Sequence, residues 1–156
     1  LSGRSALVTG GSRGIGRAIV LRLATQGADV AFTYRGNAAA AADTAAAVEA
    51  LGRRVLTIQA DASDGTAADG VVKAVLEAFG KVDILVNNAG ITQDELTMRM
   101  TEEKWDSVIS TNLSGAFWMV KAVTRSMLKA RGGRIVNITS VSGQAGQMAI
   151  SCAFSA

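Results

Sequence analysis

The stretch TGGSRGIG at residues 9–16 sets Gly10, Gly14 and Gly16 among Ser12, Arg13 and Ile15. Glycines at this spacing let a chain turn tightly and let its backbone approach a bulky anion. A helix starting inside the stretch would turn free N–H groups and its positive dipole end toward that anion. The chemistry is that of holding the pyrophosphate of a dinucleotide. About twenty residues further on, a site for NAD carries Asp or Glu to bind the ribose hydroxyls. Here that point reads FTYRGN, with Tyr34 and Arg35 and no acid. An acid would repel a 2′-phosphate, and an arginine attracts one. Arg13 adds a second positive charge inside the loop. The pattern predicts NADPH over NADH; the alternative is that both arginines are ordinary solvated side chains. In QADAS at 59–63, Asp61 is placed either to accept a hydrogen bond from an adenine amino group or to cap the next helix.

Rigid elements must hold these residues. SALVTG at 5–10 reads as a buried strand. GIGRAIVLRLATQG at 14–27 reads as a helix, with Ile15, Ile19 and Leu23 on one face and Gly27 as its stop. ADVAFTY at 28–34, RRVLTIQAD at 53–61, VDILVNNAG at 82–90 and RIVNITS at 134–140 supply further strands. NAAAAADTAAAVEALG at 37–52 is helical, alanine being the best helix former. GTAADGVVKAVLEAFG at 65–80 sets Val72, Val75, Leu76 and Phe79 on one helical face. A long helical stretch runs from about Thr101 to Arg131. Its i+4 stripe of Trp105, Ile109, Leu113 and Phe117 is assigned to the core. Strands alternating with helices of this length predict an α/β fold. The expected architecture is a Rossmann-type, doubly wound parallel sheet of order 3-2-1-4-5, in one domain over 1–156. Ligands then bind beyond the strand ends, where the order reverses between the first and fourth strands.

Composition narrows the function classes. Apolar residues make up 49% and charged residues 19%, a globular balance. The chain has no histidine, which removes His triads, His bases and His metal sites. The single cysteine, Cys152, excludes an internal disulfide and suits a reducing cytoplasm. No apolar run is long enough to span a membrane. The net charge is only +3, with no basic block longer than Arg53–Arg54, so nucleic acid is not the expected partner.

TGGSRGIG, DILVNNAG, TNLSGAF and GRIVNITSVSG stand in this order over roughly residues 4–147. On them the chain resembles the short-chain dehydrogenase/reductase family. NNAGITQDELTMRMTEEKWDSVISTNLSGAF is most similar to its 3-oxoacyl-(acyl-carrier-protein) reductase branch, which serves fatty acid synthesis. The resemblance implies hydride transfer from NADPH to a 3-oxoacyl thioester on acyl carrier protein or coenzyme A. It implies that Gly10, Gly14 and Gly16, with Ser12, Arg13 and Ile15, cradle the cofactor, and that Asp61 and Ala62 flank its adenine. Asn88, Ala89 and Gly90 would line the cofactor and brace the sheet. Asn112 would hold a helix kink and a proton-relay water, and Ser140 would orient the substrate carbonyl. Arg131 matches a basic residue that docks the acidic carrier, or is simply a charged helix end.

The resemblance breaks after Ser140. The family places a Tyr about 13 residues further on, as proton donor, and a Lys four beyond it, lowering the Tyr pKa and holding the nicotinamide ribose. Counting from Ser140 reaches Ala153; sliding by one gives Phe154, which keeps a ring without a hydroxyl. The only tyrosine is Tyr34, and no lysine follows Lys129. The expectation is impaired reduction, in a truncated or frameshifted product that departs from the family from about Met148; the alternative is residues beyond those given. The family's later strands would be missing, leaving the fifth strand an open edge and predicting a homo-oligomer. Other readings are a non-catalytic NADPH-binding module, or altered chemistry with water or Cys152 as the acid.

Overall fold

The computed structural model describes residues 1–140. Met148, Cys152, Ala153 and Phe154 lie outside the described residues. The elements alternate as β1 (Ser5–Val8), α1 (Gly14–Thr25), β2 (Asp29–Tyr34), α2 (Ala38–Ala50), β3 (Val55–Gln59), α3 (Ala67–Phe79) and β4 (Ile84–Asn87). Then follow a short 3₁₀ turn (Thr97–Arg99), α4 (Glu102–Val108), a π-helical segment (Ile109–Ser114), α5 (Gly115–Lys129) and β5 (Arg134–Asn137). The strands pair in parallel in the order β3-β2-β1-β4-β5, as the alternation of patterns predicts.

The inner strands read as unbroken apolar runs because both of their faces are covered. Leu7, Ala31 and Leu85 point to the side packed by α3 and α5. Their neighbours Val8, Val30, Phe32 and Val86 point to the side packed by α1 and α2. Each fully buried Leu, Val or Phe contributes about 1.5–3 kcal/mol relative to an exposed one. On α3, Val72 and Val75 are buried as expected, with Leu76 and Phe79 half-buried against the same core.

One expectation needs correction. The helical stretch expected from about Thr101 to Arg131 is unbroken over 102–129, its middle part wound as a π-helix. The stripe of large apolar residues within it is not core: Trp105, Leu113 and Phe117 are 41%, 54% and 58% exposed. From Ile109 on, the buried residues are Thr111, Gly115, Met119, Val123 and Met127, two positions away from that stripe. Two positions turn a helix by about 200°, so the stripe lies on the outer face.

At the strand ends remote from the glycine turn, two carboxylates hold the sheet. Asp29 receives Arg54 Nε at 2.8 Å, the Arg54 backbone N–H and the Arg53 guanidinium. Asp83 receives Arg4 at 2.8 Å and the Ser5 N–H. Burial pushes the Asp29 carboxyl up, but the bonds from Arg54 and Arg53 outweigh it and hold the pKa below 3.8. The depressed value means that the stability is present above the unfolded pKa and lost as pH falls through the folded one. Asp29→Asn should therefore cost about 1–2 kcal/mol at pH 7, since Arg54 is well exposed and screened. The deficit should shrink below about pH 3.8. Urea melts at both pH values measure it; equal stability at pH 7 would remove Asp29 from the account.

Candidate functional site

The turn from β1 into α1 is fixed by three buried threonines. Thr9 Oγ1 accepts the N–H groups of Asn88 and Ala89, both at 3.0 Å. Thr33 Oγ1 accepts Gly10 N–H at 3.2 Å, and Thr44 Oγ1 donates to Ser12 O at 3.1 Å. Asn88 returns the bond to β1, its Nδ2 donating to Thr9 O at 2.9 Å and to Gly10 O at 3.2 Å. A Cβ at position 16 would stand 2.0 Å from Gly10 O, so glycine there lets α1 rest on the turn. None of the three is singled out by the sequence: Thr9 and Thr33 stand at the ends of apolar runs, and Thr44 stands in the middle of α2.

Every residue assigned to the cofactor from sequence, from Gly10 to Gly90, lines one cleft of about 300 Å³. Tyr34, Arg13 and Arg35 are among them. An adjoining cleft of about 280 Å³ shares Asp61, Ala62, Asn88, Ala89 and Gly90 with the first and adds Asn112 and Ser140. The expected site residues thus lie in one continuous groove, at the β1/β4 switch point.

The groove suits a dinucleotide. Gly14, at φ +54°, has no atom within 4 Å of where its Cβ would stand, which leaves room for a phosphate against the backbone. The first turn of α1 carries no acid to compete for the helix dipole. Asn87 Oδ1 is buried on the groove wall with no hydrogen-bond partner among the described residues, while its Nδ2 donates to Asn137 Oδ1 at 2.9 Å. That amide pair across β4 and β5 was also not foreseen.

Asn112 lies within the π-helical segment. Its Oδ1 accepts Ile91 N–H at 2.9 Å, and its Nδ2 donates to Ile91 O at 3.0 Å. The side chain therefore ties the irregular turn to the chain leaving β4. Single π turns inside α-helices recur at functional sites. Ser140 stands half-buried three residues beyond β5, on the same groove.

Asp61 does not cap α3, whose N-cap is Thr66. Its Oδ1 accepts Ser63 N–H at 2.9 Å and Ser63 Oγ at 2.7 Å. Those two bonds, and then the charge of Arg35, hold its carboxyl below 3.8 against the effect of burial. An acid thus reaches Arg35 from the segment that follows the neighbouring strand β3 rather than from the end of Arg35's own strand. Among the described residues, no His, Cys, Asp and Glu cluster is placed to hold a metal ion, and no helix is long and apolar enough to cross a membrane.

The sequence matches the short chain dehydrogenase family over residues 4–156. The chain belongs to the short-chain dehydrogenase family. Among its relatives is 3-oxoacyl-[acyl-carrier-protein] reductase FabG of Staphylococcus epidermidis, 48% identical over 143 residues, which are 92% of this chain and 59% of that protein. The 3-oxoacyl-[acyl-carrier-protein] reductase of Synechocystis is 45% identical over 94% of the chain and 59% of its own length. The chain therefore spans about three fifths of the length of those relatives. Its fold superposes with a TM-score of 0.90 on a Burkholderia cenocepacia short chain dehydrogenase in complex with NADP, at 43% identity over 96% of this chain and 60% of that one. An NAD⁺-bound xylitol dehydrogenase superposes at 0.89 with 35% identity, over 94% and 56% of the two chains. One of these two neighbours thus holds NADP and the other NAD⁺.

Proposed function

We propose that this short-chain dehydrogenase is the NADPH-binding part of a carbonyl reductase for 3-oxoacyl thioesters. The observation that carries the reading is the continuous groove, with the glycine turn and two arginines at one end and Asn112 with Ser140 at the other. The 48% identity to a 3-oxoacyl-[acyl-carrier-protein] reductase supports the substrate class. Bound NADPH would supply a hydride to the carbonyl carbon of the thioester's 3-oxo group. Gly10, Gly14 and the α1 N-terminus would hold its pyrophosphate. Arg13 and Arg35 would hold its 2′-phosphate, and Asp61 its adenine. The Ser140 hydroxyl would donate to the substrate oxygen. Asn112, locked to Ile91, would fix the groove wall and a water beside it. Calorimetric titration with NADPH tests the reading, and absence of binding would overturn it.

A second reading is a non-catalytic NADPH-binding module. It is favoured by the one tyrosine, Tyr34, lying at the glycine-turn end of the groove rather than beside Ser140. Either reading includes self-association. The outer face bearing Trp105, Leu113 and Phe117, and β5 with Ile135 and Val136 at 40% and 45% exposure, present more apolar surface than a small monomer normally leaves bare. Light scattering over a concentration series should report a dimer or larger species. A monomer at the highest concentration would contradict this.

A further inference from the structure

We infer that Trp118 is a positioning residue for the adenine end of the groove: it is the platform on which residues 61–66 are seated. The inference rests on the dinucleotide reading above. Residues 61–66 form two successive Asx turns. Asp61 Oδ1 accepts from Ser63, and Asp64 Oδ1 accepts Thr66 N–H at 2.9 Å and Thr66 Oγ1 at 2.6 Å. Asp64 N–H also donates to Asp61 O at 3.1 Å, and Ala67 N–H to Asp64 O at 3.1 Å. These bonds close the segment on itself. They give it a shape, but they do not fix its place on the body of the protein.

Its place comes from α5. A Cβ at Gly65 would stand 2.7 Å from Trp118 Nε1, 2.8 Å from Cε2 and 2.9 Å from Cδ1. Gly65 is thus pressed flat on the five-membered ring of the indole, and no side chain fits between them. One turn earlier on α5, a Cβ at the buried Gly115 would stand 2.4 Å from Ala62 O. The indole is itself held in place: the Phe117 ring meets it edge-on at 5.0 Å, and the Lys121 ammonium stands 5.3 Å from its ring centre. A bulky flat residue at 118 and a bare backbone at 65 are therefore complementary. Because the segment is internally rigid, the height of that platform sets where Asp61 stands, and so its distance from an adenine and from Arg35. Trp118 also lines the inner cleft beside Asp61 and Ala62, so its role is not core packing alone.

Adenosine 2′,5′-bisphosphate, the adenine half of NADPH, is the probe. Trp118→Leu and Gly65→Ala should each weaken its binding about tenfold, within the range of contacting pairs. The double variant should be no weaker than Trp118→Leu alone, because the new Cβ then meets no indole. Gly70→Ala, where a Cβ meets nothing within 4 Å, should leave binding unchanged. Trp105→Phe leaves Trp118 as the only tryptophan. In that variant the bisphosphate should change the emission, and reduced nicotinamide mononucleotide should not. Unchanged affinity in both single variants, or additive losses in the double, would overturn the inference. If Trp118→Leu does not fold by circular dichroism, Gly65→Ala and the emission decide: full affinity in the first, or silence in the second, overturns it. If the unmodified chain binds neither NADPH nor the bisphosphate, the dinucleotide reading itself fails and this inference with it. If it binds both and the variants bind equally, only the role of Trp118 fails.

Discussion

The chain of residues 1–156, supplied with NADPH and acetoacetyl-coenzyme A, should turn over at least about a hundredfold below the median enzyme rate of about 10 s⁻¹. Hydride delivered to a ketone carbon leaves negative charge on the oxygen, which must be met by a proton or by fixed donors. Ser140 brings one hydroxyl to that end of the groove. The amide of Asn112 is committed on both sides to Ile91, so it shapes the site more than it feeds it protons. The one phenol in the sequence, Tyr34, lines only the cleft of the glycine turn. A positioned acid contributes about 10²–10⁴-fold, and loose placement of the reacting atoms adds a further cost. Spectrophotometric NADPH oxidation, with intact mass confirmed, measures the rate, and Ser140→Ala exposes any contaminating reductase. Turnover near 10 s⁻¹ that Ser140→Ala abolishes would overturn the prediction. A different acid would then have to reach the Ser140 end of the groove.

The fold was legible because its signals are local and repeated. Apolar runs such as SALV and ILVN, each followed by a helical period, leave a parallel sheet as the economical solution, and the order 3-2-1-4-5 follows. The glycine turn was legible for the same reason, since its chemistry sits in eight consecutive residues. What was not legible depends on register or on distant partners. ISTNLS has helix-forming periodicity, and only the family resemblance points to a kink at Asn112; the π turn there is held by Asn112 bonding to Ile91, 21 residues away. The large residues Trp105, Leu113 and Phe117 drew the eye to the wrong stripe, because the buried one is built of Thr111, Gly115, Met119 and Val123. Gly115 faces inward where α5 lies close to Ala62, and Leu113 and Phe117 face outward, so size alone is a poor guide to burial here. Thr9, Thr33 and Thr44 show the same limit: a threonine that merely fills a strand or helix and one that anchors a turn look identical until the partner is placed.

NADPH should bind more tightly than NADH by about 10- to 100-fold, and Arg35→Asp should reverse the order. The two cofactors differ by one phosphate on the adenine-side ribose, so the ratio isolates whatever meets that group. Arg13, at the N-cap of α1, and Arg35, directly after β2, both line the cleft where the glycine turn would set that ribose. A charge-assisted hydrogen bond to phosphate contributes about 1.5–3 kcal/mol, so one well-formed contact gives about a tenfold preference or more. Two full contacts would exceed the stated range. The structure supplies a reason for the lower figure: the ionised Asp61 lies within the field of Arg35 and offsets part of its charge. Asp61→Asn should therefore sharpen the NADPH preference while weakening both cofactors at the adenine. Arg35→Asp puts two carboxylates beside the 2′ position, which repels a phosphate and offers hydrogen-bond acceptors to the hydroxyl of NADH. Arg13→Ala should lower the preference without reversing it, since Arg35 remains. Calorimetry with both cofactors at fixed ionic strength measures all four proteins, and the gap should narrow as salt screens the arginines. Equal affinities in the unmodified chain, or an unchanged ratio in Arg35→Asp, would take these arginines out of the site.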